Sequence, residues 1–213
     1  GLVGSEMCLR DRRNIWLAHE LGLNFRHEPV IQAYRLADPS APDAPPNTRS
    51  PAFLRLNPNG RIPVMEDDGL VLNESLAINL YMAKKHGGPL APATLAEDGQ
   101  MTAWALWAMT EAEPHTIDVL YHRFAKPPEE RDAAKADAAV AALRAPFAVL
   151  DAALAESGFL VGGRFTVADL NTAEVIRYAQ PAPELFDANP AVKAWLAACQ
   201  ARKGTSSSES ASP

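Results

Sequence analysis

Three short stretches carry side chains whose type and spacing suit chemistry on a small ligand. Glu74-Ser75 stands where the apolar run Leu70 to Leu72 gives way to a helical pattern starting at Ser75. The first N–H groups of a helix have no intrahelical acceptor and the helix dipole is positive there, so this junction can hold a carboxylate. The Ser75 hydroxyl adds a donor, and the Glu74 carboxylate can accept from a neighbouring ammonium. Together they fit the α-amino-acid end of a ligand, although Ser75 as a plain cap and Glu74 as a dipole complement account for the same pair. Ile62-Pro63 opens an apolar run in which proline cannot donate to a sheet ladder. A cis bond there leaves the Ile62 N–H and C=O for a peptide-like ligand laid beside the sheet; an ordinary trans proline does not. Cys8 falls just before the first predicted helix, near Arg10, Arg12 and Arg13, and both neighbourhoods favour a thiolate. Such a thiol can act as a nucleophile, as a redox group or as a hydrogen-bond donor to another sulfur, while a small buried hydrophobe is its plain alternative.

The elements that must hold these residues are legible in outline. Leu2 and Val3, closed by Gly4, read as the end of a strand. Apolar residues at three- and four-residue spacing predict a helix over 11–21, and Asn24 to Ile31 offers a second strand. Asp38 to Pro51 holds five prolines among Ser, Asn and Asp, the composition of a solvated loop, long enough to suggest function or mobility. A short helix over 52–56 precedes the turn Asn57-Pro58-Asn59-Gly60. Runs over 62–65 and 70–72 flank Asp67-Asp68-Gly69, a hairpin signal, and a helix over 75–86 ends in Lys84, Lys85 and His86 before Gly87-Gly88-Pro89. The fold class that follows is α/β plus all-α: a small mixed sheet with helices over residues 1–86, a linker over 87–99, a helical bundle over 100–203 and a disordered tail over 204–213. In the helical part, Pro114 should interrupt one helix and Pro146 bend another. Val140, Leu143, Phe147, Leu150 and Leu154 form one packing stripe. Thr166-Val167-Ala168-Asp169 reads as a capping box, and Asn189-Pro190 as a cap followed by proline at the first helical position.

Composition narrows the function classes. The chain has 213 residues, 47% of them apolar, and a net charge of −6, which argues against nucleic acid as a partner. No run approaches the ~20 apolar residues of a membrane span, and no segment reads as a signal peptide. Two cysteines are too few for a disulfide framework and point to a reducing, cytoplasmic setting. Cys199, on an Ala-rich helix beside Trp195 and Leu196, reads as buried. The histidines at 19, 27, 86, 115 and 122 show no ligand spacing, so no metal is expected. The three arginines near Cys8 read as solvated charges on a helix surface before they read as help for an anionic ligand, and Trp104, Trp107, Tyr121 and Phe124 as helix-core packing before they read as a ligand surface.

Four stretches in order resemble the cytosolic glutathione transferase family, in its bacterial-type forms with a serine or cysteine active site. Arg13-Asn14-Ile15-Trp16-Leu17-Ala18-His19-Glu20-Leu21-Gly22-Leu23 is similar to the family's first helix, and Asn57-Pro58-Asn59-Gly60-Arg61-Ile62-Pro63-Val64-Met65 to its segment with a cis proline. Leu72-Asn73-Glu74-Ser75-Leu76-Ala77-Ile78 resembles the segment that holds the γ-glutamyl end, and Phe159 to Asp169 the capping box of the helical domain. The resemblance implies a thioredoxin-like first domain and glutathione as co-substrate, bound by Ile62, Pro63, Glu74 and Ser75, with Arg61 reaching the glycine carboxylate. It puts the activating residue at Cys8, with Ser5 as second candidate; no tyrosine precedes Tyr34, so a tyrosine-type mechanism is not supported. The implied activity is attack of the glutathione thiolate on an apolar electrophile in a cleft between domains of a homodimer. Glutathione-dependent thiol–disulfide exchange through Cys8, and glutathione binding without turnover, stand as alternatives.

Overall fold

The computed structural model describes residues 1–4 and 11–202. Ser5, Cys8 and the segment 204–213 read as a disordered tail lie outside the described residues. Four strands, β1 (Leu2–Gly4), β2 (His27–Pro29), β3 (Val64–Asp67) and β4 (Leu70–Asn73), make one sheet in the order β2-β1-β3-β4. β1 runs parallel to β2 and antiparallel to β3, and β3 antiparallel to β4, so the sheet is mixed. The β3–β4 ladder runs from Asp67 opposite Leu70 to Val64 opposite Asn73. Asp68 (φ 49°) and Gly69 (φ 84°) both lie at positive φ, the requirement of the two-residue turn whose twist matches the flanking strands.

The helices α1 (Asp11–Glu20), α2 (Pro51–Leu56) and α3 (Ser75–His86) accompany this sheet. Their buried residues include Leu17, Ala18, Phe53, Ile78 and Met82, joined by Val64 and Met65 of β3. Phe53, Ile62 and Val64 form one cluster with Val30 and Leu56 packed against it, so Ile62 is held by the core although it lies outside the ladder. The proline-rich loop is tied down from within, at variance with a merely solvated loop. Asn47, 1% exposed, donates to the carbonyls of Pro39 (3.0 Å) and Pro45 (2.9 Å) and accepts from the Arg49 N–H at 2.8 Å. Buried Thr48 accepts from the Ala33 N–H at 3.0 Å. Prolines lower the entropy lost on ordering, and one buried amide gathers the carbonyls they leave unpaired.

Residues 1–85 and His86–Arg202 form separate compact units. The second is helical: α4 (Leu95–Trp107), α5 (Glu113–Leu120), α6 (Ala133–Leu154), α7 (Val167–Ile176), α8 (Pro183–Asp187) and α9 (Pro190–Gln200). α4 begins inside the stretch read as linker, because the Thr94 side chain accepts from the Glu97 N–H and caps it. Between α4 and α5 the chain widens into a π-helical turn, Ala108–Ala112. Pro114 has no N–H for the Thr110 carbonyl, and the wide turn just before it is the interruption expected there. α6 continues through Pro146, and Val140, Leu143, Phe147, Leu150 and Leu154 are all at most 5% exposed. Cys199 is buried.

Both capping signals mark real helix starts, but one works differently from the sequence reading. Thr166 and Asp169 form the capping box of α7. Asn189 stands at the cap position of α9, yet its amide donates backwards to the Leu185 carbonyl at 2.7 Å. Asp151 of α6 caps α9 instead, accepting from Ala191 N–H at 2.8 Å and Val192 N–H at 3.0 Å. Among the described residues no helix is long and apolar enough to cross a membrane.

Candidate functional site

The β3–β4 ladder stops at Val64 opposite Asn73, so Ile62-Pro63 and Glu74-Ser75 leave the hairpin at the same end. β1 ends there too, since Val3 pairs with Val64 and Gly4 follows. The opposite end is fastened to the last turns of α3. Tyr81 donates to Asp67 at 3.0 Å, and the Lys85 ammonium donates to Asp67 at 2.6 Å and to Asp68 at 2.7 Å. These carboxylates raise the Lys85 pKa above its ordinary value, first through the Asp67 hydrogen bond and then through that of Asp68. Hairpin and helix therefore meet at a fixed register, which sets where Glu74 hands over to α3.

Glu74 adopts φ 69°, a left-handed conformation that non-glycine residues seldom take, while its carbonyl accepts from the Ile78 N–H at 2.9 Å and so opens the helix. Its carboxylate is exposed and makes no hydrogen bond to the described residues. Ser75 is 5% exposed, with its hydroxyl at the head of α3. An exposed carboxylate beside a buried hydroxyl at the positive end of a helix dipole can receive an ammonium and a carboxylate on one carbon.

Ile62 and Pro63 are both buried, and the bond between them is cis. The turn before them is organised by Asn57, 3% exposed, whose amide donates to the Arg61 carbonyl at 2.6 Å and whose side-chain oxygen accepts from Asn59 N–H at 3.1 Å. Gly60 (φ 62°) completes the turn, and a Cβ there would come within 2.9 Å of the Thr48 carbonyl and 3.5 Å of Arg49 Nη1. The proline-rich loop thus approaches the turn, with the exposed Arg49 reaching Gly60, the residue before the exposed Arg61. Sequence reading passed over Arg49 because one arginine in a polar loop carries no signal of its own.

A second omission lies behind Ser75. Arg13, read as a solvated charge, is 0% exposed, and its Nη1 donates to Ser75 Oγ at 3.1 Å. Asn14 Nδ2 donates to the Ser75 carbonyl at 2.8 Å and to Asn79 Oδ1 at 2.7 Å, and Asn79 Nδ2 returns to the Arg13 carbonyl at 3.3 Å. This buried network joins α1 to α3. A signal did exist: Asn14 shares a helix face with Leu17, Ala18 and Leu21, and Asn79 with Leu76, Met82 and Ala83. An amide on an apolar stripe has to find hydrogen bonds inside.

The family model described as "Glutathione S-transferase, N-terminal domain" matches residues 7–85, and that described as "Glutathione S-transferase, C-terminal domain" matches residues 115–203. Glutathione S-transferase 3 of Zea mays is 35% identical over 162 residues, covering 72% of each chain. The chain belongs to the glutathione S-transferase family. Among solved structures, glutathione transferase F7 from Populus trichocarpa superposes with a TM-score of 0.82 at 26% identity, covering 98% of this chain and 96% of that one. The theta class glutathione S-transferase from Xanthomonas axonopodis pv. citri, solved with glutathione bound, gives 0.79 at 26% identity, covering 99% and 97%. The glutathione transferase fold, a small mixed sheet with helices and then a helical domain, is thus present, and the relatives' names support a glutathione transferase over the two alternatives. The N-terminal match includes Cys8 and begins after Ser5. Among the described residues of this glutathione transferase, no group of His, Cys, Asp or Glu is arranged to hold a metal ion. Trp104 and Trp107, half-buried and edge-to-face at 5.1 Å, and exposed Tyr121 and Phe124 are not core packing; they give the helical unit an apolar surface.

Proposed function

We propose that this transferase binds glutathione along the end of the β3–β4 hairpin and directs its thiolate at an apolar electrophile. Glu74 accepts from the γ-glutamyl ammonium, while the Ser75 hydroxyl donates to the α-carboxylate beside it. The Ile62 backbone pairs with the cysteinyl residue, with Pro63 setting its direction, and Arg61 and Arg49 face the glycine carboxylate. The observation that carries this reading is Glu74: an exposed carboxylate with no hydrogen-bond partner among the described residues, held at φ 69° next to a buried hydroxyl at the head of a helix. A sparsely populated backbone conformation persists where the surroundings impose it, and such positions gather at ligand clamps.

Cys8 donates to the glutathione sulfur, with Ser5 as the second candidate. A donor held at the sulfur stabilises the thiolate and lowers its pKa. The glutathione thiol releases its proton to water and the thiolate attacks an electrophilic carbon. A carbon–sulfur bond forms as the leaving group departs with the bonding pair. The protein works in the cytoplasm as a homodimer.

Binding to immobilised glutathione, followed by conjugation to an activated aryl halide, tests this reading; a protein that neither binds nor conjugates overturns it. Cys8→Ala is expected to lower conjugation at neutral pH and to shift its pH profile upward. Unchanged conjugation in Cys8→Ala assigns the sulfur donor to another group, and reduction of mixed disulfides without conjugation overturns the transferase assignment.

A further inference from the structure

Asn47 uses every polar atom it has to fold the proline-rich loop. At 1% exposed, its Nδ2 donates to the carbonyls of Pro39 (3.0 Å) and Pro45 (2.9 Å), and its Oδ1 accepts from the Arg49 N–H at 2.8 Å. Its own N–H donates to Ser50 Oγ at 2.9 Å, and its carbonyl accepts from the Ser50 N–H at 2.9 Å. Next to it, the Thr48 N–H donates to the Ile31 carbonyl at 2.9 Å and Thr48 Oγ1 accepts from the Ala33 N–H at 3.0 Å, which closes the loop at its base. Thr48 and Arg49 therefore leave Asn47 on an ordered backbone. The Thr48 carbonyl lies 2.9 Å and Arg49 Nη1 3.5 Å from the place a Cβ on Gly60 would take, directly ahead of Arg61-Ile62-Pro63. The exposed Arg49 guanidinium makes no hydrogen bond or ion pair among the described residues. A cation on a segment that is already ordered gives a ligand carboxylate its full contact, because binding does not have to offset the entropy of fixing the loop.

We propose that Asn47 is a positioning residue for the carboxyl end of the thiol peptide. It holds the loop against the Gly60 turn and so keeps Arg49 where the ligand's terminal carboxylate arrives. This rests on the assignment of Arg49 and Arg61 to the glycine carboxylate made above. The consequence is selectivity for length: γ-glutamylcysteine extended by one more residue is preferred to γ-glutamylcysteine itself, and Asn47 sustains that preference without touching the ligand.

The test compares wild type, Asn47→Ala, Arg49→Ala and the Asn47→Ala/Arg49→Ala pair, all in the full chain. Affinities are measured by titration calorimetry for glutathione and for γ-glutamylcysteine, which lacks the glycine. Wild type is expected to prefer glutathione about tenfold or more, the worth of a hydrogen bond between charged groups. Asn47→Ala should lose most of that preference by weakening glutathione while γ-glutamylcysteine binds as before. The pair should bind glutathione no more weakly than Arg49→Ala, because both changes remove one contact. If Asn47→Ala does not fold, Asn47→Ser, whose single hydroxyl cannot replace two amide donors, is read in its place with the same expected outcome. The proposal is overturned if the Asn47 variant binds glutathione as wild type does. It is equally overturned if both ligands weaken by the same factor, as a purely structural role requires, or if the two single losses multiply in the pair. Wild-type affinity for glutathione in Arg49→Ala overturns the assignment of Arg49, and this proposal with it, while the reading of Glu74 and Ser75 stands. A wild-type protein that binds neither ligand overturns glutathione binding altogether.

Discussion

Glu74 separates function from stability within one residue. The left-handed conformation at φ 69° costs a residue with a Cβ ~1 kcal/mol or more, and the carboxylate it carries forms no hydrogen bond among the described residues to offset that. Glu74→Gln should therefore leave the thermal midpoint within a degree or two of wild type while weakening glutathione about tenfold, the loss of a charge-assisted bond to the ammonium. Calorimetric titration and a thermal melt on the same sample check both halves; an unchanged affinity removes Glu74 from the site. Glu74→Gly relieves the conformation as well as removing the charge, so a midpoint no lower than that of Glu74→Gln is expected. Arg13 and Ser75 behave oppositely, being buried and hydrogen-bonded to each other, and substitutions there register in both stability and binding. The Glu74-Ser75 pair was readable because its chemistry follows from residue type at a strand–helix junction. Arg13 was not, because three arginines within four positions look alike in sequence until a partner helix is seen to cover Arg13.

Helix ends in the second unit depend on groups brought from elsewhere in the chain. Asp169 Oδ1 accepts from the Leu160 N–H and the Trp195 indole N–H, each at 3.0 Å, and Oδ2 from the Thr166 N–H at 2.9 Å and hydroxyl at 3.1 Å. Asp169→Ala strands these buried donors and should cost roughly 3 kcal/mol, read as a lowered denaturant midpoint at unchanged slope. Arg164 fastens the segment ahead of α4: it donates to the carbonyls of Pro89 (3.1 Å) and Ala91 (3.0 Å) and forms two bonds to Glu97, at 3.0 and 2.7 Å. The Arg164 hydrogen bond, aided by the Ala93 N–H, lowers the Glu97 pKa from 4.5 to about 2. A carboxylate with a depressed folded-state pKa stabilises the fold above its unfolded value and loses that contribution on acidification. The stability difference between wild type and Glu97→Gln should thus be full at neutral pH and shrink as pH falls from 4.5 toward about 2. Chemical denaturation at a series of pH values checks the sign, and a difference that grows on acidification contradicts it.

All the residues proposed to hold glutathione belong to residues 1–85, so in the proposed mode the ligand ties the end of the β3–β4 hairpin to the head of α3 and the proline-rich loop. A ligand that binds only the folded chain adds ~2.7 kcal/mol at a hundred times its Kd, which for a chain of this length raises the melting midpoint by about 5–10 °C. Differential scanning calorimetry with glutathione and with its α-carboxamide measures this, and equal shifts for the two contradict recognition of the α-carboxylate. The chain's net charge of −6 gives no general attraction for an anionic peptide. Recognition must rest on local cations, and the described part of the proposed site holds three: Arg13, Arg49 and Arg61.

Local chemistry was legible without coordinates. The Asp68-Gly69 turn, the α3 limits, the α6 stripe and the Thr166–Asp169 box are short-range patterns, in which each residue's preference and its neighbours' spacing already specify the geometry. Tertiary structure alone decided which polar groups work together. Arg13 meets Ser75 across sixty-two positions of sequence, and Asp151 caps α9 across forty. Arg49 approaches Gly60 only because the buried Asn47 amide draws the proline-rich loop in. Periodicity marks a residue as facing inward but does not say which partner waits there, and for a buried charge or amide the partner is the whole of its role.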